Sequence, residues 1–249
     1  MRIAWYNEID ALTASAISVS TSIGGQGGAN LLDQRLSTQW VTDTATSQSV
    51  VFSFSAAIDV TTIGVLGHNI TSACTVTVEA NKDNSWITPA YSTTLTVYDS
   101  GPILRFLSST HTYQYWRVTF AGQASLEIGR IWLGEYLTIS PSSLLDYRVT
   151  DNRNDTVVIG RGRQLYGSEG TAWKTVELSF PKTAYTMIDS IREMYAYSGL
   201  YKSLIFCNFD ELRTYELVEP MYCHIGQPIQ FTHTDRQNYT YSLLLEEDK

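Results

Sequence analysis

Charge is scarce in this 249-residue chain. Only 17% of its residues are Asp, Glu, Lys or Arg, against about a quarter in an average globular domain. Ser and Thr fill much of the gap. Positive charge is the scarcer kind, with 17 Lys plus Arg against 25 Asp plus Glu and a formal net charge of -8. No basic stripe runs through the sequence, which argues against a nucleic-acid partner and against attachment to an anionic membrane surface. No stretch approaches the ~18 uninterrupted apolar residues of a spanning helix, so membrane insertion is not expected. The first ten residues, MRIAWYNEID, place Glu8 and Asp10 where a signal peptide needs an apolar run. Cysteine is rare and odd in number: Cys74, Cys207 and Cys223 lie far apart. That excludes a disulfide framework and suits synthesis in a reducing compartment. The three Asn-x-Thr triplets at Asn69, Asn154 and Asn238 then read as accidents of a Thr-rich chain.

Catalytic signatures are missing as well. The chain has no Gly-x-Ser-x-Gly elbow, no His-Glu-x-x-His and no Walker loop. The Gly24–Gly28 run lacks a strand-to-helix setting and reads as a flexible loop. Cys207, Cys223, His224 and His233 invite a zinc reading, but neighbours on a strand point to opposite faces, so Cys223 and His224 make poor co-ligands. Asp210-Glu211 and Glu246-Glu247 read as solvated charge. The expectation is a chain that is not an enzyme and holds no cofactor and no metal.

What the chain does have is aromatic and β-branched residues, with 16 Tyr, 8 Phe and 6 Trp. These favour strands. In the first half, Ile17–Ser20, Val50–Phe54, Thr62–Leu66, Thr75–Glu79, Tyr115–Phe120 and Leu126–Leu133 read as short strands separated by turn chemistry. A Pro/Ser break at Ile139–Ser143 sets the expected domains at 1–137 and 138–249. In the second half, strands are expected at Thr156–Gly160, Trp173–Phe180, Ser203–Cys207, Tyr215–Val218, Ile229–Phe231 and Tyr239–Leu245. Met187, Ile188, Ile191, Met194 and Tyr195 recur at helical spacing, which predicts one amphipathic helix over about 183–198, with Gly199 as its C-terminal cap. The fold class expected is mainly β: a β-sandwich followed by a β-rich α+β domain with one helix.

Residues Ala29 to Trp40 form a polar, turn-like run. Asp33 is placed to accept backbone N–H bonds, and Trp40 to plug the end of a sandwich core. In order, Ala29, Asn30, Leu31, Asp33, Thr38 and Trp40 resemble the discoidin or coagulation-factor type C module, a galactose-binding-like jelly-roll β-sandwich. Tyr115-Trp-Arg-Val118 and Leu126-Glu-Ile128 are similar to two later strands of that family, and the resemblance covers about residues 12–135. Gln34 departs from the usual turn glycine, and Phe52-Ser-Phe54 stands where many members carry Asp-Leu-Gly. In members that hold calcium, the resemblance places the ligands at Asp33, Thr38 and Glu127. The reading of the residues themselves pairs Glu127 with Arg117 or another rim arginine instead.

The resemblance also implies carbohydrate binding by loops at one end of the sandwich. The candidate cluster is Asn81, Asp83, Asn84, Trp86 and Tyr91, because planar aromatics stack on sugar faces and polar groups bond hydroxyls. The alternative is that Trp86 folds back over the sandwich or meets another protein. Gly67-His68-Asn69 reads as a strand end in which His68 and Asn69 cap backbone groups. That phrase, with the pattern of the second half, also resembles minor tail and baseplate (distal-tail-type) proteins of tailed bacteriophages. The function this resemblance implies is a structural virion component, made in the host cytoplasm and placed in the tail. Its partners would be other tail proteins and copies of itself in a ring. The alternative is a carbohydrate-binding module for a cell-surface glycan.

Overall fold

The computed structural model describes residues 1–97, 101–139, 146–159, 165–208, 220–235 and 238–248. The chain divides into two compact units, Met1–Ile139 with Leu204–Tyr222, and Ser140–Ser203 with Cys223–Lys249. The single boundary expected after residue 137 therefore needs correcting, because Leu204–Tyr222 belongs with the first unit. The expected linker falls largely outside the described residues, as does the strand expected at Tyr215–Val218.

The first unit is an antiparallel β-sandwich. Its strands are β1 (Arg2–Asn7), β2 (Ile17–Val19), β3 (Trp40–Val41), β4 (Ser47–His68), β5 (Thr75–Asn81), β6 (Tyr91–Leu95), β7 (Ile103–Ala121) and β8 (Glu127–Thr138). Two of them are far longer than sequence patterning indicates. Val50–Phe54 and Thr62–Leu66 are two halves of one strand, β4, and Tyr115–Phe120 is only the end of β7. Their mutual register shifts between Ser53 and Ile58 and again between Val60 and Thr62. At these irregularities both strands bend from one sheet into the other, which is how sandwich corners form. One sheet then consists of β6, β5, the second half of β7, the first half of β4, and β2. The other holds the remaining halves of β4 and β7 with β8 and β1.

The two inner faces make one core. Val50, Phe52, Val76, Val78, Trp116, Val118 and Phe120 come from the first sheet, and Ile63, Val65, Ile103, Ile131 and Leu133 from the second. Trp40 plugs this core as expected, fully buried, with its indole N–H donating to the Thr21 carbonyl at 2.8 Å. The second sheet is also covered on its other face, where Ala4, Leu66, Trp132, Ile205 and Tyr222 form a smaller cluster. That explains why β8 is buried continuously from Ile128 to Gly134 rather than at alternate residues. It also explains why β13 (Leu204–Cys207), buried throughout, joins this unit: it pairs with β1, Ile3 opposite Phe206.

The second unit contains β9 (Asp146–Arg153), β10 (Thr156–Ile159), β11 (Leu165–Ser168), β12 (Ala172–Ala184), β15 (Phe231–Asp235), β16 (Asn238–Glu247) and the last three residues of β14 (Met221–Ile225). β12 lies between β9 and β16, and β14 and β15 pair with the two ends of β16. β10 and β11 form a separate hairpin. The single α-helix among the described residues, α1, spans Tyr185–Ser198 and buries Ile188, Ile191 and Met194. This is the face expected from the sequence. Gly199 ends the helix at φ +55° and donates its N–H to Tyr195. The mainly β fold class is as expected, with β1, β3, β6, β9, β11 and β14 added.

A buried ion pair pins the N-terminal segment to β8. Arg130 is only 1% exposed, yet its guanidinium contacts the Asp10 carboxylate and donates to the Asp33 carbonyl at 2.9 Å. Asn7 reinforces the junction. Its amide donates to the Ile131 carbonyl and accepts from Leu133 N–H, at 3.1 and 3.0 Å. Removing one partner of such a pair strands the other charge without water. Asp10→Ala should therefore destabilise the protein by about 2–4 kcal/mol, below the full buried-pair cost because Asp10 keeps 22% exposure. Urea unfolding followed by Trp fluorescence measures this.

Candidate functional site

The crossing of β7 from one sheet to the other opens a groove in the first unit. Between Val60 and Thr62 of β4 the partner residues on β7 jump from His111 to Phe106. The intervening stretch of β7 swings away from β4 and faces β6. The resulting cavity holds about 400 Å³, within the range of small-molecule sites. Phe106 and Leu107, both buried, supply its apolar lining. Tyr91 and His111 stand together in the wall, ring centroids 4.0 Å apart and tilted by 35°. Trp116 backs Tyr91 at 6.1 Å. His111 also lies 3.3 Å from the Ser109 hydroxyl. Ser92, Ser108 and Arg105 line the same groove, and Arg105 donates to the Thr94 carbonyl at 2.9 Å, which fixes its approach. The chemistry on offer is aromatic faces beside hydroxyl, imidazole and guanidinium groups.

The residues expected to form one binding cluster fall in two places. Tyr91 lines the groove, through its register opposite Ala80 on β5. Asn81, Asp83, Asn84 and Trp86 do not. The Asn81 side chain donates to the Ser85 carbonyl at 2.7 Å, and the Trp86 indole N–H donates to Asn84 at 2.8 Å. Trp86 lies over the Arg117 guanidinium at 4.7 Å, on the outer face of the sheet, since Arg117 alternates with buried Trp116 and Val118. Trp86 thus folds back on the sandwich. Asp83 is exposed on the same loop. Arg117 in turn pairs with Glu79 at 2.7 Å, which corrects the expected pairing with Glu127.

Asp33 behaves as the turn residue expected. It accepts the Arg35 backbone N–H at 2.9 Å, and the Arg35 guanidinium binds it through two nitrogens. Those bonds hold its carboxyl well below the usual carboxylate range. The Thr38 side chain bonds the same carboxylate, so Asp33 and Thr38 are spent on a local hydrogen-bond network with Arg35, whereas calcium needs six or more oxygens. Among the described residues no group of three or more His, Cys, Asp or Glu could hold a metal ion. Cys207 and Cys223 are buried thiols, His224 bonds Asp248 at 2.6 Å, and His233 packs on Tyr239. Of the two carboxylate pairs, Asp210-Glu211 lies outside the described residues, and Glu246-Glu247 sits on β16.

Gly67-His68-Asn69 caps backbone as expected. Gly67 adopts φ +58°, with Leu36 packed where a side chain would stand. His68 accepts the Ile70 N–H on Nδ1 and approaches the Gly101 carbonyl with Nε2, so the proton belongs on Nε2. Asn69 donates to Ser125 and accepts from Glu127 N–H.

The groove residues His111, Arg105, Ser92 and Ser108 escaped the sequence reading. The aromatic run His111-Thr-Tyr-Gln-Tyr-Trp116 was a usable signal, but local patterning starts the strand only at Tyr115. What brings His111 to Tyr91 is a register shift, which leaves no local mark.

No family model matches the chain, and no curated protein sequence matches it. Solved structures do. The Clostridium perfringens module CpGH89CBM32-6 is similar over 52% of this chain and 99% of its own, at 19% identity and a TM-score of 0.40. Chitosan-binding module 1 of a Paenibacillus sp. IK-5 chitosanase/glucanase is similar over 48% of this chain and 93% of its own, at 17% identity and a TM-score of 0.38. A Streptococcus pneumoniae fucose binding module is similar over 47% of this chain and 89% of its own, at 8% identity and a TM-score of 0.39. None of these three is described as a phage tail or baseplate protein.

One titration follows from the His68 geometry. Burial pushes its imidazole below the ordinary value of 6.5, so the unfolded chain takes up the proton first as pH falls. Stability contributed by neutral His68 is complete above 6.5 and declines below it. In His68→Asn the amide can still accept the Ile70 N–H but does not titrate. The melting temperature of the parent should fall more between about pH 7.5 and 5.5 than that of the variant, as measured by circular dichroism.

Proposed function

We propose that the first unit is a carbohydrate-binding module that captures a saccharide in the Tyr91–His111 groove. The observation that carries this reading is the pairing of two partly exposed rings with a hydroxyl-rich, arginine-bearing wall in one cavity. A sugar has one apolar face of C–H groups and a rim of hydroxyls. The rings suit the face, and Ser92, Ser108 and Arg105 suit the rim. Six of the eight lining residues carry a polar side-chain group, more than a pocket for an apolar ligand would hold.

The role is binding rather than turnover. Hydrolysis of a glycosidic bond needs two placed carboxylates, and no Asp or Glu is among the described residues that line the groove. The rings are held on strands rather than on a loose loop, so little side-chain freedom is lost on binding.

Isothermal titration against a panel of mono- and disaccharides tests the proposal. Tyr91→Ala should weaken the best ligand at least tenfold, about 1.4 kcal/mol. Trp86→Ala, which removes the stack on Arg117 and the bond to Asn84 outside the groove, should stay within about twofold of the parent by the same scale. Unaltered binding in Tyr91→Ala would remove the groove from consideration. Loss in Trp86→Ala alone would move the site to the outer face.

A further inference from the structure

The second unit carries a row of aromatic rings that starts in its core and runs out onto its surface. At the buried end Phe180 and Tyr241 stack at 4.4 Å with planes only 10° apart. Phe231, opposite Tyr241 in the β15–β16 register, follows at 5.6 Å and is half-buried. Two residues along each strand come Tyr239 and His233, 4.9 Å apart. Tyr185, the first residue of α1, closes the row 6.3 Å from Tyr239 and is 52% exposed. His233 is exposed as well. Helix α1 borders the row with Arg192, whose guanidinium lies over Phe231 at 5.2 Å and over Tyr239 at 6.0 Å. Asp189 stands 3.7 Å from Arg192, and both are about half exposed.

The geometry points to a second saccharide-binding surface, formed by Tyr185, Tyr239, His233, Arg192 and Asp189. Exposed rings alone would suit a dry protein contact equally well, and Tyr and Arg are the common anchors of such contacts. The ion pair decides between them. An apolar partner laid over this row would take Arg192 and Asp189 out of water without replacing their hydrogen bonds, which is costly. A saccharide laid over it offers C–H groups to the rings and hydroxyls to the guanidinium and carboxylate at once. The phenol hydroxyls and the His233 ring nitrogens add further polar contacts at the rim. The surface also needs no rearrangement, because three of the five side chains sit on paired strands or at the first helical turn. Its choice of ligand class rests on the carbohydrate reading of the first unit. Its residues are separate, so the two can fail separately.

A chain with two such contacts holds a polymeric glycan more tightly than a monosaccharide, because the second contact forms at high effective concentration. The test uses the full chain and affinity electrophoresis in gels containing soluble polysaccharides, beside titration with the matching monosaccharide. Tyr185→Ala combined with His233→Ala changes only exposed side chains. The double variant should lose about tenfold or more in polysaccharide retardation while its monosaccharide affinity at the groove stays that of the parent. Arg192→Gln should give the same pattern, and circular dichroism checks that each variant is folded. Parental retardation in the double variant would overturn the second surface and leave the groove standing. Retardation lost through Tyr185 and His233 but not through Tyr91→Ala would keep the surface and remove the groove. Parental retardation accompanied by a shift in sedimentation coefficient would overturn the saccharide and make the row a contact between protein chains.

Discussion

The interaction on which most of the first unit depends is the burial of Arg130. A guanidinium in the middle of a strand, almost without solvent, is costly unless its donors find acceptors. The Asp33 carbonyl supplies one for Nη1 and Asp10 one for Nη2, from two separate stretches of chain, while Nε is left without one. That requirement brings the turn at Glu8–Ala11 and the turn at Gly28–Leu32 to the same strand. Asn7 adds two bonds to the β8 backbone beside it. β8, so anchored, is the template for the second half of β4 on one edge and for β1 on the other. Gly129 lets the Leu36 backbone lie against it, at a distance where any side chain would collide.

The groove is a consequence of that anchoring. With the second half of β4 committed to β8, and its first half to β2 and β7, the strand must bend between them. β7 bends with it and releases the residues between Phe106 and His111 from regular pairing. The released stretch places His111 against Tyr91 and leaves space between β6 and β7. The candidate groove lies at a sheet corner, where backbone pairing is interrupted, and not in the long loop between β5 and β6. That loop spends its aromatic residue on structure: Trp86 covers the Arg117 guanidinium, a contact worth about 0.5–1 kcal/mol at an exposed site.

The second unit solves its packing differently. Its sheet is covered by one helix whose Ile188, Ile191 and Met194 face inward. The helix begins immediately after β12, so Tyr185 is carried beside the β15–β16 hairpin. A helix of 14 residues does not cover the whole row of aromatics, and the outer rings stay in contact with water. Arg192 then lies across the rings with Asp189 close by, keeping its charge solvated while its planar group shields Phe231 and Tyr239.

Local periodicity determined a good deal of this protein. Alternation at Thr75–Glu79 marked a strand, because side chains on a pleated strand alternate faces. Three- and four-residue spacing from Met187 to Tyr195 marked the helix, and Gly199 its end, because a left-handed cap favours glycine. The roles of Asp33 and His68 were legible too, since each bonds backbone two residues along its own turn, and Trp40 was legible as a large apolar group after a polar run. Tertiary structure alone decided the rest. Nothing local marks Arg130 for burial; its partner Asp10 lies 120 residues away. β4 looked like two strands because the bend between Ser53 and Ile58 interrupts its pattern. Leu204–Cys207 looked like part of the second half until β1 offered it an open edge. Trp86 and Tyr91 looked like one site because they are near in sequence, whereas the sheet places one on its outer face and the other at its edge. Sequence patterning reports which face of an element is apolar; which element covers that face, and in what register, is set by pairing between distant segments.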